Sequence, residues 1–148
     1  MGAAYFYHLT DTPLERTLPM LLAKCRDAGW RVAVRGHDAG LLQRLDATLW
    51  NNGFLPHGMI GGAHDADQPV LLGAVVPADG FACVMSVSGA DVTAAEVSAV
   101  ERVCILFDGH DEGALNHARG QWKTLTKEGC QAQYWAQEDG RWTKKAES

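Results

Sequence analysis

Three largely apolar runs between residues 70 and 107 constrain the fold of this chain more than any other feature. They are VLLGAVV at Val70–Val76, FACVMSV at Phe81–Val87 and VERVCILF at Val100–Phe107. Strands that are apolar on both faces are typical of a parallel sheet that helices cover on both sides. The runs therefore predict an α/β fold with a largely parallel sheet.

Helical patterns alternate with further strand patterns in the rest of the chain. Apolar residues at helical spacing predict a helix that begins near Leu14 and ends at Gly29, and a second helix that begins at Asp38. Short strands are predicted at Ala3–Leu9, Arg31–Arg35 and Gln131–Gln137. Residues 58–68 are predicted to form a surface loop, and the residues after Trp142 a polar tail. The 148 residues contain no repeat or linker, so one domain spanning residues 1–148 is expected.

The segment DEGALNHARGQWKTLTKE, residues 111–128, predicts a late helix. Asp111 is a suitable N-cap, and Gly129 stands where a glycine commonly ends a helix. The predicted apolar face consists of Leu115, Ala118, Trp122 and Leu125.

A basic row runs beside this apolar face. Arg119, Lys123 and Lys127 recur every four residues and therefore lie on one side of the helix. Trp122 lies between the row and the apolar face. This arrangement suits a ligand with a negatively charged part and an apolar part. The alternative is a core tryptophan beside an ordinary solvated face.

Composition excludes some classes of function. With 13 basic and 18 acidic residues the formal net charge is −5, which argues against broad direct contact with nucleic acid. The start of the chain reads as a strand rather than a signal peptide, and no apolar run approaches the roughly 20 residues that cross a bilayer. We therefore expect a cytoplasmic protein without membrane contact. The four cysteines include no CxxC pair, and buried thiols are expected at Cys25, Cys83 and Cys104.

The usual motifs of nucleotide and metal sites are missing. The sequence has no P-loop, no GxGxxG after the first strand, no GxSxG and no HExxH, so neither a cofactor nor a metal is predicted. Asp108 and His110 follow a predicted strand, where α/β proteins often carry active groups. They are also explained by a turn before a helix. His57 is a ligand, a base, or a hydrogen-bonded plug at a strand entrance.

Two aromatic residues near the end of the second helix are candidates for contact with a partner. Trp50 ends the apolar pattern of that helix, and Phe54 follows the Asn51-Asn52-Gly53 turn. Aromatic residues dominate the binding energy of many interfaces, although a core role explains both residues as well.

Several motifs together resemble the chi subunit of bacterial DNA polymerase III holoenzyme. They are LDATLW at 45–50, FLPH at 54–57, ERV at 101–103, LFD at 106–108, ARGQWK at 118–123, YW at 134–135 and GRW at 140–142. The likeness spans nearly the whole chain in the right order. It implies a Rossmann-like α/β fold without a nucleotide site, and a non-enzymatic adaptor. Chi-type proteins bind the acidic, phenylalanine-terminated C-terminal tail of the single-stranded DNA-binding protein. They also bind the psi subunit, which joins them to the clamp loader.

Residue by residue, the resemblance assigns five positions to binding of that tail. They are Trp50, Phe54, Arg119, Trp122 and Lys123. The two cations would meet the aspartates and the terminal carboxylate, and the three aromatic residues would form the pocket for the terminal phenylalanine. Some relatives carry a further basic residue where this chain has Leu115, and Lys127 is the candidate to compensate.

Three hypotheses follow for the function. The first is the replisome adaptor. The second is a nucleotide-using α/β enzyme with Asp108, His110 or His57 as acid–base groups. The third is a chi-like adaptor for a repair helicase. The sequence assigns no surface to the psi subunit.

Overall fold

The computed structural model describes residues 2–10, 12–51, 57–61, 68–74, 76, 78, 80–139 and 141–148, without the side chain of residue 51. Strands and helices alternate along most of the chain. The strands are β1 Ala3–Leu9, β2 Val32–Gly36, β3 Gly58–Met59, β4 Val70–Gly73, β5 Cys83–Val87, β6 Arg102–Asp108, β7 Gln131–Glu138 and β8 Arg141–Glu147. The helices are α1 Leu14–Asp27, α2 Ala39–Asn51, α3 Ala94–Ala99 and α4 Glu112–Lys127.

The eight described strands form one sheet in the order β3-β4-β2-β5-β6-β1-β7-β8. Neighbouring strands are parallel except β7 and β8, which pair antiparallel at one edge. Strand β1 lies between β6 and β7, with Phe6 opposite Ile105 on one side and Tyr134 on the other. This register places Phe6 beside residues that are 99 and 128 positions away in the sequence.

Helices cover both faces of the sheet. Helices α1 and α2 pack on one face through Leu18, Leu22, Leu45 and Leu49. Helices α3 and α4 pack on the other face through Val97, Ala118 and Leu125. Because both faces are covered, the central strands are buried on both sides, as the apolar runs require. The predicted fold class is confirmed.

Three short elements were missing from the predicted pattern. Helix α3 begins with a capping box, in which Thr93 and Glu96 satisfy each other's backbone N–H groups. Strand β3 lies inside the segment predicted as a surface loop, and strand β8 replaces the predicted polar tail. Strand β8 was overlooked because its side chains are mostly exposed and carry little apolar signal.

The expected burial of three cysteines is confirmed. Cys25, Cys83 and Cys104 are buried in the core on the α1 and α2 face, whereas Cys130 is half-buried after α4.

Candidate partner-binding site

Helix α4 has the limits that the sequence predicts. The Asp111 carboxylate accepts the Ala114 N–H at 3.2 Å, and Gly129 takes the left-handed backbone with φ of +89° just after the last turn. Ala118 and Leu125 are buried against the sheet. The helix therefore presents one face to the core and leaves the opposite side to solvent.

The basic row lies on the solvent side of α4. Arg119, Lys123 and Lys127 are exposed. Within the described residues, none of the three forms an ion pair. Four residues of an α-helix rise about 6 Å, so the three charges form a row about 12 Å long. A local cationic strip therefore exists on an acidic protein.

Trp122 combines the two roles that the sequence left open. Its ring lies edge-on to Phe6 at 5.3 Å between ring centroids and edge-on to Tyr134 at 6.0 Å. The side chain is half-buried, so part of the indole packs on the core and part reaches the surface beside the basic row. An apolar surface is thus available between Arg119 and Lys123.

Two further residues lie next to the basic row, and sequence reasoning missed both. His8 is near the end of β1, and its Nδ1 lies 2.9 Å from the hydroxyl oxygen of Tyr134 in β7. Burial lowers the pKa of His8, and the positive charge of Arg119 lowers it further. Burial raises the pKa of the Tyr134 hydroxyl, whereas Arg119 opposes that rise. Only the strand order could have revealed this pair, because the two residues are 126 positions apart.

Trp50 lies on the other side of the molecule. It is 60% exposed at the end of α2, which packs on the opposite face of the sheet from α4. The structure therefore does not bring Trp50 and Trp122 together, and the predicted pocket that contains both is corrected. The error arose because sequence spacing does not show on which face a crossover helix packs. Phe54 lies outside the described residues.

His57 supports the exposed Trp50. The imidazole is 2% exposed, its Nε2 lies 2.8 Å from Asp46 Oδ1, and its ring centroid is 4.4 Å from that of Trp50. His57 is therefore a buried, hydrogen-bonded residue, in agreement with the plug interpretation.

A cleft of about 900 Å³ opens where β1, β2, β5 and β6 end. Three helices begin at its rim: α1, which has Pro13 as N-cap and no side-chain cap, and α2 and α4, each of which is capped by its own aspartate. Asp38 Oδ1 accepts the Leu41 N–H at 3.1 Å, and Asp111 Oδ1 caps α4 as described above. Free helix N-termini attract phosphate, but at α2 and α4 these carboxylates take that place and repel anions.

The candidate acid–base pair at this rim is engaged in local hydrogen bonds. Asp108 Oδ1 accepts the backbone N–H of His110 at 2.9 Å, and His110 Nε2 lies 2.9 Å from the Thr10 carbonyl oxygen. These bonds form the turn that leads into α4. In the described part of the chain, no group of three or more His, Cys, Asp or Glu side chains is arranged to hold a metal ion.

Comparison with known protein families identifies the chain. The model of the family described as DNA polymerase III chi subunit, HolC, matches residues 1–133. The chain belongs to the DNA polymerase III chi subunit family. This confirms the resemblance and gives the protein a role in DNA replication as an accessory subunit of the DNA polymerase III holoenzyme. No curated protein matched the chain.

The family match covers most of the candidate site. The chi-family segment includes His8 in β1 and the whole basic row of α4, whereas Tyr134 is the first residue after it.

None of the described helices is long and apolar enough to cross a membrane.

Proposed function

We propose that this chi-family protein is a non-catalytic adaptor of the bacterial cytoplasm that binds the acidic C-terminal tail of the single-stranded DNA-binding protein. Arg119, Trp122 and Lys123 form the site, and Lys127 extends it. The observation that carries the proposal is a row of exposed cations on α4 that have no ion pair among the described residues and lie beside a half-buried indole. Through the psi subunit, the adaptor links the coated DNA to the clamp loader.

The spacing of the cations suits an extended acidic peptide. Consecutive charges along the row are about 6 Å apart, and alternate residues of an extended chain are about 6.5 to 7 Å apart. Arg119 can hold a carboxylate with two parallel hydrogen bonds, whereas Lys123 offers a single mobile charge. We therefore assign the terminal carboxylate to Arg119 and the preceding aspartates to Lys123 and Lys127.

The exposed part of Trp122 supplies an apolar contact for the last side chain of the tail. An aromatic ring against another aromatic ring adds about 0.5–1.5 kcal/mol beyond the burial of apolar area. The indole is held in place from below by Phe6 and Tyr134. Because the indole is already held in place, the protein itself loses little conformational freedom when the tail binds.

Trp50 belongs to a second surface in this proposal. An adaptor holds two partners at once, so its two binding surfaces must not overlap. Trp50 and the basic row lie on opposite faces of the sheet. An exposed tryptophan supported by the buried His57 is a suitable anchor for a protein partner. We therefore assign Trp50 to the partner on the clamp-loader side and not to the tail.

A titration with a labelled peptide tests the tail site. The peptide ends in Asp-Ile-Pro-Phe preceded by aspartates, and its fluorescence anisotropy is measured at low and at physiological salt. We expect a Kd on the order of micromolar that weakens with salt, because the charge pairs lie near the surface. Arg119→Gln should weaken binding about tenfold, the typical effect of one charge-assisted hydrogen bond.

Arg26→Gln is the matched control for this titration. Arg26 is an exposed arginine in the last turn of α1, on the opposite face of the sheet. It should bind the peptide as the unaltered protein does, and so should Trp50→Ala. Equal weakening in Arg119→Gln and Arg26→Gln would show that only net charge matters. Absence of binding at low salt would refute the tail site altogether.

Partner capture tests the second surface. The immobilised protein and its Trp50→Ala variant are incubated with bacterial extract, and the retained proteins are identified by mass spectrometry. We expect the unaltered protein to retain psi and clamp-loader subunits, and the variant to lose them while it still binds the tail peptide. Retention of a repair helicase in place of the clamp loader would support the third hypothesis instead.

A further inference from the structure

The His8 side chain is held in one place at the end of β1. Its ring lies 5.2 Å from that of Phe107 and 5.9 Å from that of Tyr134, measured between centroids. A Cβ atom on Gly109 would lie 2.0 Å from His8 Nε2, so the ring rests directly on a backbone that has no side chain. The contact between Nδ1 and the Tyr134 hydroxyl holds the ring from a further side.

Charged or titratable side chains from three parts of the chain face this imidazole. Arg119 comes from α4, Tyr134 comes from β7, and Asp108 and His110 come from the end of β6 and the turn after it. Burial, Arg119 and His110 lower the pKa of His8, and only Asp108 raises it. His8 therefore carries less positive charge in the free protein than an ordinary histidine does at the same pH.

We propose that His8 and Tyr134 form part of the peptide site, and that capture of a peptide carboxylate at Arg119 is coupled to the uptake of one proton by His8. This inference rests on the tail-binding function proposed above. It adds two residues to the site and names a regulating condition, the pH.

The coupling follows from the charge that the peptide brings. A carboxylate bound at Arg119 offsets the positive charge that lowers the His8 pKa and adds a negative charge that raises it. In the complex, the pKa of His8 therefore lies above its value in the free protein. Between the two values binding takes up a proton, so affinity increases as the pH falls through this interval. Affinity becomes constant below the lower pKa and above the higher one.

Protonation also changes what Tyr134 can donate. Both ring nitrogens of a charged imidazole carry hydrogen, so Nδ1 then donates to the Tyr134 hydroxyl oxygen. The phenolic O–H is thereby released to donate to the peptide carboxylate. The proton comes from solvent, and no covalent bond other than the new N–H is formed. Tyr134 thus supplies, from β7, a hydroxyl beside the ring of Trp122.

Calorimetric titration of the full chain with the same peptide tests the inference. At pH 6.5 the titration is run in two buffers with different ionisation enthalpies, and the difference in heat gives the number of protons taken up. We expect a fractional uptake below one proton, and a Kd that tightens about threefold to tenfold between pH 8 and pH 5.5, since one pKa unit corresponds to tenfold. Measurements stay above pH 5.5 because the peptide's own aspartates titrate lower.

Three variants separate the coupling from other histidines and from folding. His8→Gln should abolish the proton uptake and the pH dependence of binding. Tyr134→Phe should weaken binding at pH 5.5 more than at pH 8. His117→Gln is the matched control and should keep the uptake, because His117 is another α4 histidine and its Nε2 faces Asp91 at 3.2 Å.

The outcomes distinguish this inference from the function on which it rests. Binding without proton uptake, or uptake that persists in His8→Gln, would overturn the coupling and leave the tail site intact. Absence of binding at every pH would overturn both. Loss of proton uptake in His117→Gln would show that His117 takes up the proton and would also overturn the assignment to His8.

Discussion

Replacement of Trp122 by alanine tests whether the indole belongs to the core as well as to the surface. A side chain that only lined a binding surface could be removed at little cost in stability. Trp122 instead contacts Phe6 and Tyr134 edge-on, at 5.3 and 6.0 Å. The variant should therefore be less stable even in the absence of any peptide.

Two independent routes give the size of this loss. Removal of a fully buried tryptophan side chain costs about 3–5 kcal/mol, so a half-buried one should cost about 2 kcal/mol. Each edge-to-face pair contributes about 0.5–1.5 kcal/mol, so the two pairs together contribute about 1–3 kcal/mol. Both routes lead to a decrease of about 2 kcal/mol in the free energy of unfolding for Trp122→Ala.

Urea unfolding followed by circular dichroism at pH 7 measures the loss. Trp50→Ala serves as the control, because that indole is 60% exposed and its removal should cost about 0.5 kcal/mol or less. Trp122→Phe keeps a ring against Phe6 and should stay within about 1 kcal/mol of the unaltered protein. It therefore allows peptide affinity to be compared in fully folded protein. A loss below about 0.5 kcal/mol in Trp122→Ala would refute the packing argument.

Three further predictions follow from individual contacts. Glu96→Gln leaves the buried Arg35 without its counter-charge, and urea unfolding should show a loss of about 2 kcal/mol. The hydrogen bond from Arg35 lowers the pKa of Glu96. The stabilisation is therefore present above the ordinary glutamate pKa of about 4.3 and is lost as the pH falls through the lowered pKa of the folded state. A difference in unfolding free energy between the unaltered protein and the variant that stays constant down to acid pH would contradict the assignment. Gly109→Ala should displace the His8 ring and lower the free energy of unfolding by about 1–2 kcal/mol. In an NMR titration the pKa of His8 should move toward its ordinary value. An unchanged titration would contradict the contact between Gly109 and His8. Cys130 should be the one thiol among the four that native protein exposes to a disulfide reagent. Its labelling rate should increase with pH because the thiolate is the reactive form, and should still increase above the pKa of an ordinary thiol because burial raises the pKa of Cys130. Fast labelling of a second thiol would contradict the burial of the others.

The elements that could be predicted from sequence are those whose signals are local. Strand β1 and helix α4 were predicted with nearly their observed limits, because an apolar run, an N-cap and a terminal glycine lie within a few residues of each element. Helix α3 had a local signal as well, in the capping-box pattern from Thr93 to Glu96, but it has only six residues. Strand β8 follows an Asp-Gly pair, which is a hairpin signal, although its own side chains are largely polar.

The candidate site could be predicted only as far as one helix extends. Arg119, Trp122 and Lys123 share α4, so their proximity follows from helical spacing alone. The partnership of His8 with Tyr134 depends on β1 being inserted between β6 and β7, which the order of elements along the chain does not reveal. The assignment of Trp50 to the same pocket was wrong for a related reason, because it required α2 and α4 to lie on one face.

Under the proposed function, the separation of the two surfaces would let an acidic protein serve replication through protein contacts. Its net charge of −5 repels phosphate, yet the cations of α4 stand in a local row that an acidic peptide can reach. The sheet lies between α4 and α2, and its central strands β2, β4 and β5 are buried on both faces, so a close-packed layer separates the row from Trp50. The row and Trp50 are thereby kept on separate faces of the sheet. Under the proposed function, the tail and the clamp-loader side can be held at once, and pH acts on the tail alone because His8 lies on the α4 face.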